Sequence, residues 1–268
     1  MKIVAIMGSP KGKGDGYKIV KEIERQMRSM GEVEFEYVFL KDARVDMCKG
    51  CWNCAYHGED KCPLRDDDLA SIRGRMLEAD GLILSSPVYA RSICGLMKNF
   101  VDRLSYNIGR PAFYRQKALL VLNSGSGVTG MGTFTEMGWA INGARIVHKL
   151  HVSTPWYPRG EKMVRKREKA IRIASEKLFK ACLDKKLSKP SFLEYLLFRL
   201  NKAFNLRMSV FMPAGYEFYR DKEYYYETEI GPIAKLSAAI LLPIFLLIVK
   251  DLLPASEREI HQSPGSDT

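Results

Sequence analysis

The sequence of 268 residues lacks an apolar run long enough to cross a bilayer as a helix. Leu236–Val249 is uncharged but spans only fourteen residues, with Pro243 in the middle, whereas a spanning helix needs about 20 residues. The N-terminal segment MKIVAIMGSP has the pattern of a buried strand that runs into a glycine turn, and it is too short for a secretory signal. These absences argue against an integral membrane protein and against secretion.

A disulfide framework is also missing, because four of the six cysteines lie in one short loop. A reducing cytoplasm is therefore the expected compartment. No Ser–His–Asp arrangement is apparent, so no side chain is predicted to act as a catalytic nucleophile or base.

The net charge of +11 is concentrated in one segment. Arg159–Lys189 contains twelve Lys and Arg against four acids, which accounts for eight of the eleven positive charges. No nucleic-acid-binding motif and no interleaved aromatic residues accompany this basic stretch, so a nucleic-acid partner is not predicted.

Apolar runs alternate with helical patterns through residues 1–155. The runs that predict strands are Lys2–Met7, Val33–Leu40, Gly81–Ser86, Ala118–Asn123 and Arg145–Val152. Helices are predicted over Tyr17–Met30, from an Asp66–Asp68 cap to Leu77, over Ser92–Ser105 and over Met131–Asn142. This alternation predicts an α/β fold, with a five-stranded parallel sheet and helices on both faces.

Three loops follow predicted strands and should meet at the carboxyl edge of the sheet, where such folds bind ligands. They are Gly8–Gly16, Ser86–Ser92 and Asn123–Gly130, all rich in glycine, serine or proline. The first loop precedes a helix N-terminus, where backbone amides favour a phosphate, and Lys11 and Lys13 add charge. It has neither the G-K-[ST] of a Walker loop nor G-x-G-x-x-G spacing. The loops suit a flat cofactor with a phosphate tail.

The cysteine loop, residues 48–62, has the spacing C-x2-C-x2-C-x7-C and is followed by Pro63. Zinc sites more often pair two C-x2-C knuckles that lie farther apart, so a third cysteine at the same interval favours an iron–sulfur cluster. Zinc and an unmetallated loop remain the alternatives. The candidate ligands are Cys48, Cys51, Cys54 and Cys62.

Five segments in order carry a family resemblance: GSPKGKGDG, CKGCWNC, SSPVY, LMKNFVDRLSY and NSGSG. They resemble the iron–sulfur flavoprotein branch of the NAD(P)H-dependent FMN reductase family, over about residues 1–155. The resemblance implies a flavodoxin-like, doubly wound sheet, one FMN and one 4Fe–4S cluster. It also implies a homodimer or homotetramer.

The same resemblance implies roles for individual residues. Ser9, Lys11 and the backbone near Asp15 and Gly16 would hold the FMN phosphate. The isoalloxazine would be lined by Pro87, Val88 and Tyr89, with Ser92 nearby, and its pyrimidine edge approached by Ser124, Gly125 and Gly127. The family usually has Asn and then Ser or Thr where this chain has Asp15 and Gly16. That difference predicts weaker FMN binding unless the Asp15 carboxylate turns outward.

Residues 156–268 are predicted to form a helical extension, first basic (Lys162–Lys186), then amphipathic (Phe192–Phe204), then apolar. The apolar run has three interpretations: a helix that forms an oligomer, a core helix that covers the sheet, or an interfacial membrane anchor. The last dozen residues are predicted to be a frayed tail.

The predicted function is electron transfer through FMN and a 4Fe–4S cluster, between NAD(P)H or ferredoxin and a small acceptor. Membrane association through the extension is one variant of this hypothesis. The alternatives are a cluster-free NAD(P)H-dependent FMN or quinone reductase and a flavodoxin-like binding or scaffold protein with a zinc-stapled loop.

Overall fold

The computed structural model describes residues 1–127, 129–187 and 189–248. The strands are β1 (Lys2–Met7), β2 (Glu34–Phe39), β3 (Gly81–Tyr89), β4 (Ser92–Ile93), β5 (Lys117–Ser124) and β6 (Arg145–Ser153). The helices are α1 (Asp15–Met30), α2 (Asn53–Tyr56), α3 (Leu69–Glu78), α4 (Gly95–Arg103), α5 (Thr133–Trp139), α6 (Glu161–Leu183), α7 (Phe192–Arg207), α8 (Pro213–Tyr219) and α9 (Pro232–Ile248).

Five strands form a parallel sheet in the order β2-β1-β3-β5-β6. The strand order reverses between β1 and β3, and this is the order of the doubly wound, flavodoxin-like fold. The predicted fold class is confirmed. Ligands of such sheets bind beyond the carboxyl ends of the strands at that reversal.

One predicted helix begins later than expected. Ser92 and Ile93 form β4, which pairs antiparallel with Tyr89 and Val88 at the end of β3, and α4 starts only at Gly95. The third strand was predicted to end at Ser86, but β3 continues to Tyr89 because this short antiparallel pair extends it. The result is a hairpin beyond the sheet.

The described residues divide into two compact units. The first comprises residues 1–51 and 60–187 and contains the sheet. Its strands β1, β3 and β5 are almost fully buried, and α1 packs on them through Ile19, Val20, Ile23 and Met27. Helix α6 also belongs to this unit, because its apolar face packs into the same core with Ile171, Ala174 and Leu178. Its basic side chains lie on the exposed side.

The second unit comprises residues 52–59 and, within the described range, residues 189–248. Its core is aromatic and is built mainly from Tyr195, Phe198, Tyr219, Tyr224 and Tyr225. Helix α7 begins with a capping box, in which the Glu194 side chain accepts from Ser191 N and Ser191 Oγ accepts from Glu194 N.

Helix α9 contains most of the apolar run and packs with α7, burying Ala234 and Ala238. Most of its larger side chains, among them Ile233, Leu236 and Phe245, are exposed. Across the described residues, none of the helices has both the length and the apolar character that crossing a membrane requires. Val249 and the predicted frayed tail lie outside the described residues.

Candidate functional site

The three predicted loops meet at the carboxyl edge of the sheet. Gly8 N donates to Ser85 O at 2.8 Å, which joins the loop after β1 to the end of β3. A Cβ at Gly16 would lie 3.1 Å from both Ser85 Oγ and Asn123 Oδ1, so the first turn of α1 rests directly on the ends of β3 and β5. The close approach favours glycine at this position.

The loop after β1 is folded around Ser9. Ser9 is buried, its Oγ accepts from Lys11 N at 3.3 Å, and its carbonyl accepts from Gly12 N at 3.1 Å. Gly12 has φ +63°, a conformation that favours glycine. Gly14 is the N-cap of α1, and no described side chain caps this helix end. The amides of its first turn are therefore left for a ligand, and the helix dipole favours an anion there.

Asp15 does not cap α1. Its carboxylate is half exposed and lies 3.5 Å from Lys18 Nζ, one turn along the helix. The lysine neutralises a charge that would otherwise oppose a phosphate. A side chain at Gly16 would crowd Ser85 and Asn123, because its Cβ would lie 3.1 Å from both.

The hairpin between β3 and β4 is strained. Ala90 (φ +47°) and Arg91 (φ +67°) both adopt left-handed conformations, which cost free energy in residues other than glycine and are concentrated at functional sites. Gly130 N donates to Arg91 O at 2.6 Å and fixes the turn to the loop after β5. Pro87 is buried, whereas the Tyr89 side chain is 47% exposed at the tip.

Ser92 and the end of β5 have polar partners that the sequence analysis missed. Ser92 Oγ donates to Glu136 Oε2 at 3.1 Å. Ser124 Oγ lies 2.8 Å from His151 Nε2 on β6, and burial lowers the pKa of His151. Gly125 and Gly127 are exposed beyond this pair. In the register of β5 and β6, His151 lies opposite Leu122, two residues before Ser124, so the two side chains are diagonal neighbours on one face. That register was the missing information.

A cleft of about 400 Å³ opens beside β6 and the first turn of α1. Its cationic side chains are Arg159, Lys166 and Arg167, and it is also lined by Asp15 at the start of α1 and Gly127 in the loop after β5. Arg159 Nη2 donates to Ser153 Oγ at 2.6 Å, whereas Arg159 Nε is buried without a hydrogen-bond acceptor among the described residues. From sequence these cations were only part of a basic stretch.

The segment before Cys48 is held by side chains of α4. Asn99 Oδ1 accepts from Cys48 N at 2.9 Å, and Asn99 Nδ2 donates to Val45 O at 3.1 Å. Arg103 Nη1 donates to Asp46 O at 2.8 Å. Arg103 Nη2 donates to Leu64 O at 2.9 Å, which ties in the segment that follows Cys62.

Arg103 also forms a buried ion pair with Asp67. Burial alone would raise the pKa of the Asp67 carboxyl, but hydrogen bonds from Arg103 and from the amides of Leu69 and Asp46 hold that pKa below its usual range. Burial opposes the charge of Arg103 as well. The pKa of the guanidinium is nevertheless raised, because the hydrogen bond and charge of Asp67, with smaller contributions from Cys62 and Cys48, outweigh the effect of burial.

The four loop cysteines differ in exposure. In the first unit Cys48 and Cys62 are half-buried and Cys51 is exposed; in the second unit Cys54 is half-buried on α2. All six cysteines are described, and none forms a disulfide. Within residues 1–127, 129–187 and 189–248, no three His, Cys, Asp or Glu side chains are grouped closely enough to hold a metal ion. The ligand set therefore stays a prediction.

The residues present fit both groups that the resemblance implies. For FMN, the uncapped start of α1 and the buried Asn123 Oδ1, which has no hydrogen-bond partner among the described residues, offer polar groups at the loop edge. For an iron–sulfur cluster, four thiols supply the soft donors that iron prefers. The buried Arg103 Nε is likewise without an acceptor in the described part.

A flavodoxin-like sheet with three converging glycine- and serine-rich loops defines a cofactor-binding α/β protein of the doubly wound class. The sequence profile described as NADPH-dependent FMN reductase matches residues 1–150. The chain belongs to that family, as the motifs predicted.

Curated relatives carry the name iron-sulfur flavoprotein. One from Methanocaldococcus jannaschii is 38% identical over 103 residues, which are 38% of this chain and 51% of the relative. One from Archaeoglobus fulgidus is 35% identical over 104 residues, or 39% and 46% of the two chains. One from Methanosarcina thermophila is 30% identical over 153 residues, or 56% and 71%. This chain spans about half the length of most of the curated relatives that it matches.

Two solved structures share the fold. A flavone reductase superposes with a TM-score of 0.50 at 17% identity, over 70% of this chain and 66% of the other. An NAD(P)H:quinone oxidoreductase from Methanothermobacter marburgensis has a TM-score of 0.50 at 16% identity, over 66% and 98%. At these identities the comparison establishes the architecture alone.

Proposed function

We propose that the chain is an FMN-dependent oxidoreductase of the iron–sulfur flavoprotein type, which passes electrons between NAD(P)H or ferredoxin and a small acceptor. The observation that carries this proposal is the presence, in one chain, of three converged cofactor loops and a loop of four thiols. Family membership and the names of the relatives support it.

The FMN phosphate binds at the start of α1. The free amides of the first turn donate to it, Ser9 shapes the loop, and the exposed Lys11 adds positive charge. Pro87, Val88 and Tyr89 would line the isoalloxazine, with Ser92 nearby and Ser124, Gly125 and Gly127 at its pyrimidine edge. When bound, FMN links two-electron to one-electron transfer.

The cleft beside β6 receives the reductant. NAD(P)H carries several phosphate charges, and Arg159, Lys166 and Arg167 offer cations beside the flavin loops. Arg159 is the best-placed donor, because its Nε–H is buried and has no acceptor among the described residues. This argument makes no choice between NADH and NADPH.

The thiolates of Cys48, Cys51, Cys54 and Cys62 ligate one 4Fe–4S cluster, which supplies one-electron transfer when bound. Ferredoxin is then a possible partner at this loop. We expect the chain to form a homodimer or homotetramer in the cytoplasm. Helix α9 is suited to peripheral contact with a membrane. Sedimentation with and without lipid vesicles tests both points.

The deciding experiment is anaerobic purification followed by an ultraviolet–visible spectrum, with iron, sulfide and zinc assayed on the same sample. We expect flavin bands over a broad shoulder, with about four irons and four sulfides per chain. Flavin without iron would reduce the proposal to a cluster-free reductase. Zinc without flavin would overturn it in favour of a zinc-stapled scaffold.

A further inference from the structure

Arg103 is a buried cation at the two ends of the cysteine loop. Its side chain is 2% exposed and that of its partner Asp67 is 1% exposed. It donates to Asp46 O, two residues before Cys48, and to Leu64 O, two residues after Cys62. A single guanidinium on α4 therefore fixes both flanks of the segment that carries the thiols.

The hydrogen-bonding capacity of Arg103 is not exhausted by these contacts. A guanidinium has five N–H donors and no acceptor. Nη1 donates to Asp46 O and Asp67, and Nη2 donates to Leu64 O. Nε is buried, and within the described residues it has no acceptor. A buried charged donor without an acceptor is unfavourable, so the functional protein should supply one.

The Cys48 thiol lies close to the helix that carries Arg103. Cys48 is held against α4, through its amide to Asn99 and through its Sγ, 3.9 Å from Asp102 O. A thiolate or an inorganic sulfide carries negative charge and accepts hydrogen bonds, and hydrogen bonds to sulfur tune the potential of iron–sulfur clusters.

We propose that Arg103 is a positioning residue for the cluster: it fixes both flanks of the cysteine segment and brings a positive charge and a hydrogen-bond donor to the sulfur ligands Cys48 and Cys62. This inference rests on the proposed function, because it requires the cluster. Reduction adds negative charge to a cluster, so a hydrogen-bonded cation beside it favours the reduced form. Arg103 thereby raises the reduction potential.

A structural role alone would make the same ion pair but would leave the potential unchanged. The experiment therefore compares Arg103→Gln, which removes the positive charge, with Arg103→Lys, which keeps the charge without the planar fork. The double variant Arg103→Gln/Asp67→Asn, which leaves no buried unpaired charge, controls for folding. Arg75→Gln is the matched control, because Arg75 pairs with Glu36 on β2 in the same unit and has no contact with the cysteine segment among its hydrogen bonds and ion pairs described here.

Each variant is purified anaerobically with its FMN, assayed for iron and sulfide, and titrated with redox mediators while the reduced cluster is followed by electron paramagnetic resonance. We expect Arg103→Gln to lower the reduction equilibrium constant at least tenfold, or 59 mV for one electron. The double variant, which removes one charge of each sign, should lower it less. The reduction equilibrium constant of Arg103→Lys should lie between those of the wild type and Arg103→Gln, and that of Arg75→Gln should match the wild type.

If the reduction equilibrium constants of Arg103→Gln and Arg103→Lys both stay within about twofold of the wild-type value at full iron content, the inference is overturned and Arg103 is a structural residue. Loss of iron from both variants, with FMN and the melting temperature retained, would support the positioning role. Absence of iron from the wild type would overturn the proposed cluster itself, and this inference with it.

Discussion

The carboxyl edge of the sheet and the segments around Cys48 and Cys62 differ in what holds them. At the edge, backbone hydrogen bonds such as Gly8 N to Ser85 O and Gly130 N to Arg91 O join loops that follow buried strands. The cysteine segments are held instead by two side chains of α4, Asn99 and Arg103.

This difference predicts two kinds of site. The edge is formed by the sheet and needs no ligand to assemble it, so its cofactor should bind to a preorganised surface. The thiols are not grouped for metal binding in the described residues, so the metal itself should complete their arrangement, as it does in many small metal sites. Each site should therefore be removable without the other.

The largest effect should follow removal of one thiol. Cys51→Ala should abolish the broad cluster absorbance and the bound iron, because a cubane cluster needs all four ligands, while the flavin bands remain. Cys182→Ala is the matched control, since Cys182 lies buried on α6 and burial raises its pKa to about 12. A Cys51 variant that keeps its brown spectrum would refute the ligand assignment.

A bulky side chain at the carboxyl edge of the sheet should have the reverse effect, weakening FMN binding while the cluster is retained. Gly16→Val places a Cβ 3.1 Å from Ser85 Oγ and Asn123 Oδ1, and overpacking of this kind costs about 1–3 kcal/mol. We expect FMN affinity to fall about tenfold or more, measured by quenching of flavin fluorescence, with iron content unchanged. Gly74→Ala on α3 is the control, because nothing lies within 4 Å of the added Cβ. Equal losses of iron and FMN would show that the two sites are not independent.

A smaller effect is expected at the cleft beside β6. Arg159→Gln should raise the KM for NAD(P)H about tenfold, because a hydrogen bond to a charged group contributes about 1.5–3 kcal/mol. FMN content should not change. Arg172→Gln, on the exposed side of α6 and paired with Glu176 one turn away, serves as control. If both variants keep the wild-type KM, the reductant binds elsewhere.

The sequence was sufficient for the sheet, because long buried runs such as Gly81–Ser86 and Ala118–Asn123 leave little choice of structure. It was also sufficient for the position of the three loops, since parallel strands end at one edge. The hairpin at Ala90 and Arg91 escaped prediction, because neither residue signals a left-handed turn.

The contacts of the site depended on pairings far apart in the chain. Arg103 reaches Asp67, Asp46 and Leu64, which no local pattern connects. The tie between Ser124 and His151 depends on the register of β5 against β6, which includes a bulge between Ala118 and Leu119. The candidate cofactor ligands could be predicted from residue type and spacing, whereas the hydrogen-bond partners that hold them could be identified only from the fold.

The smallest expected effect is on the pH dependence of stability. It distinguishes the sheet edge, where His151 titrates, from the cysteine segment, where Asp67 titrates. Burial lowers the pKa of His151 in the folded protein, so its contribution to stability is present above the unfolded value of about 6.5 and is lost as pH falls through it. Asp67, also with a lowered pKa, contributes above its unfolded value of about 3.9 and loses that contribution in more acidic solution. Urea unfolding of the wild type and His151→Gln between about pH 3.5 and 8 should therefore show a shallower slope in the variant near pH 6, with the slope near pH 4 unchanged. Identical slopes near pH 6 would show that His151 titrates normally, and that its pairing with Ser124 does not depend on a neutral ring.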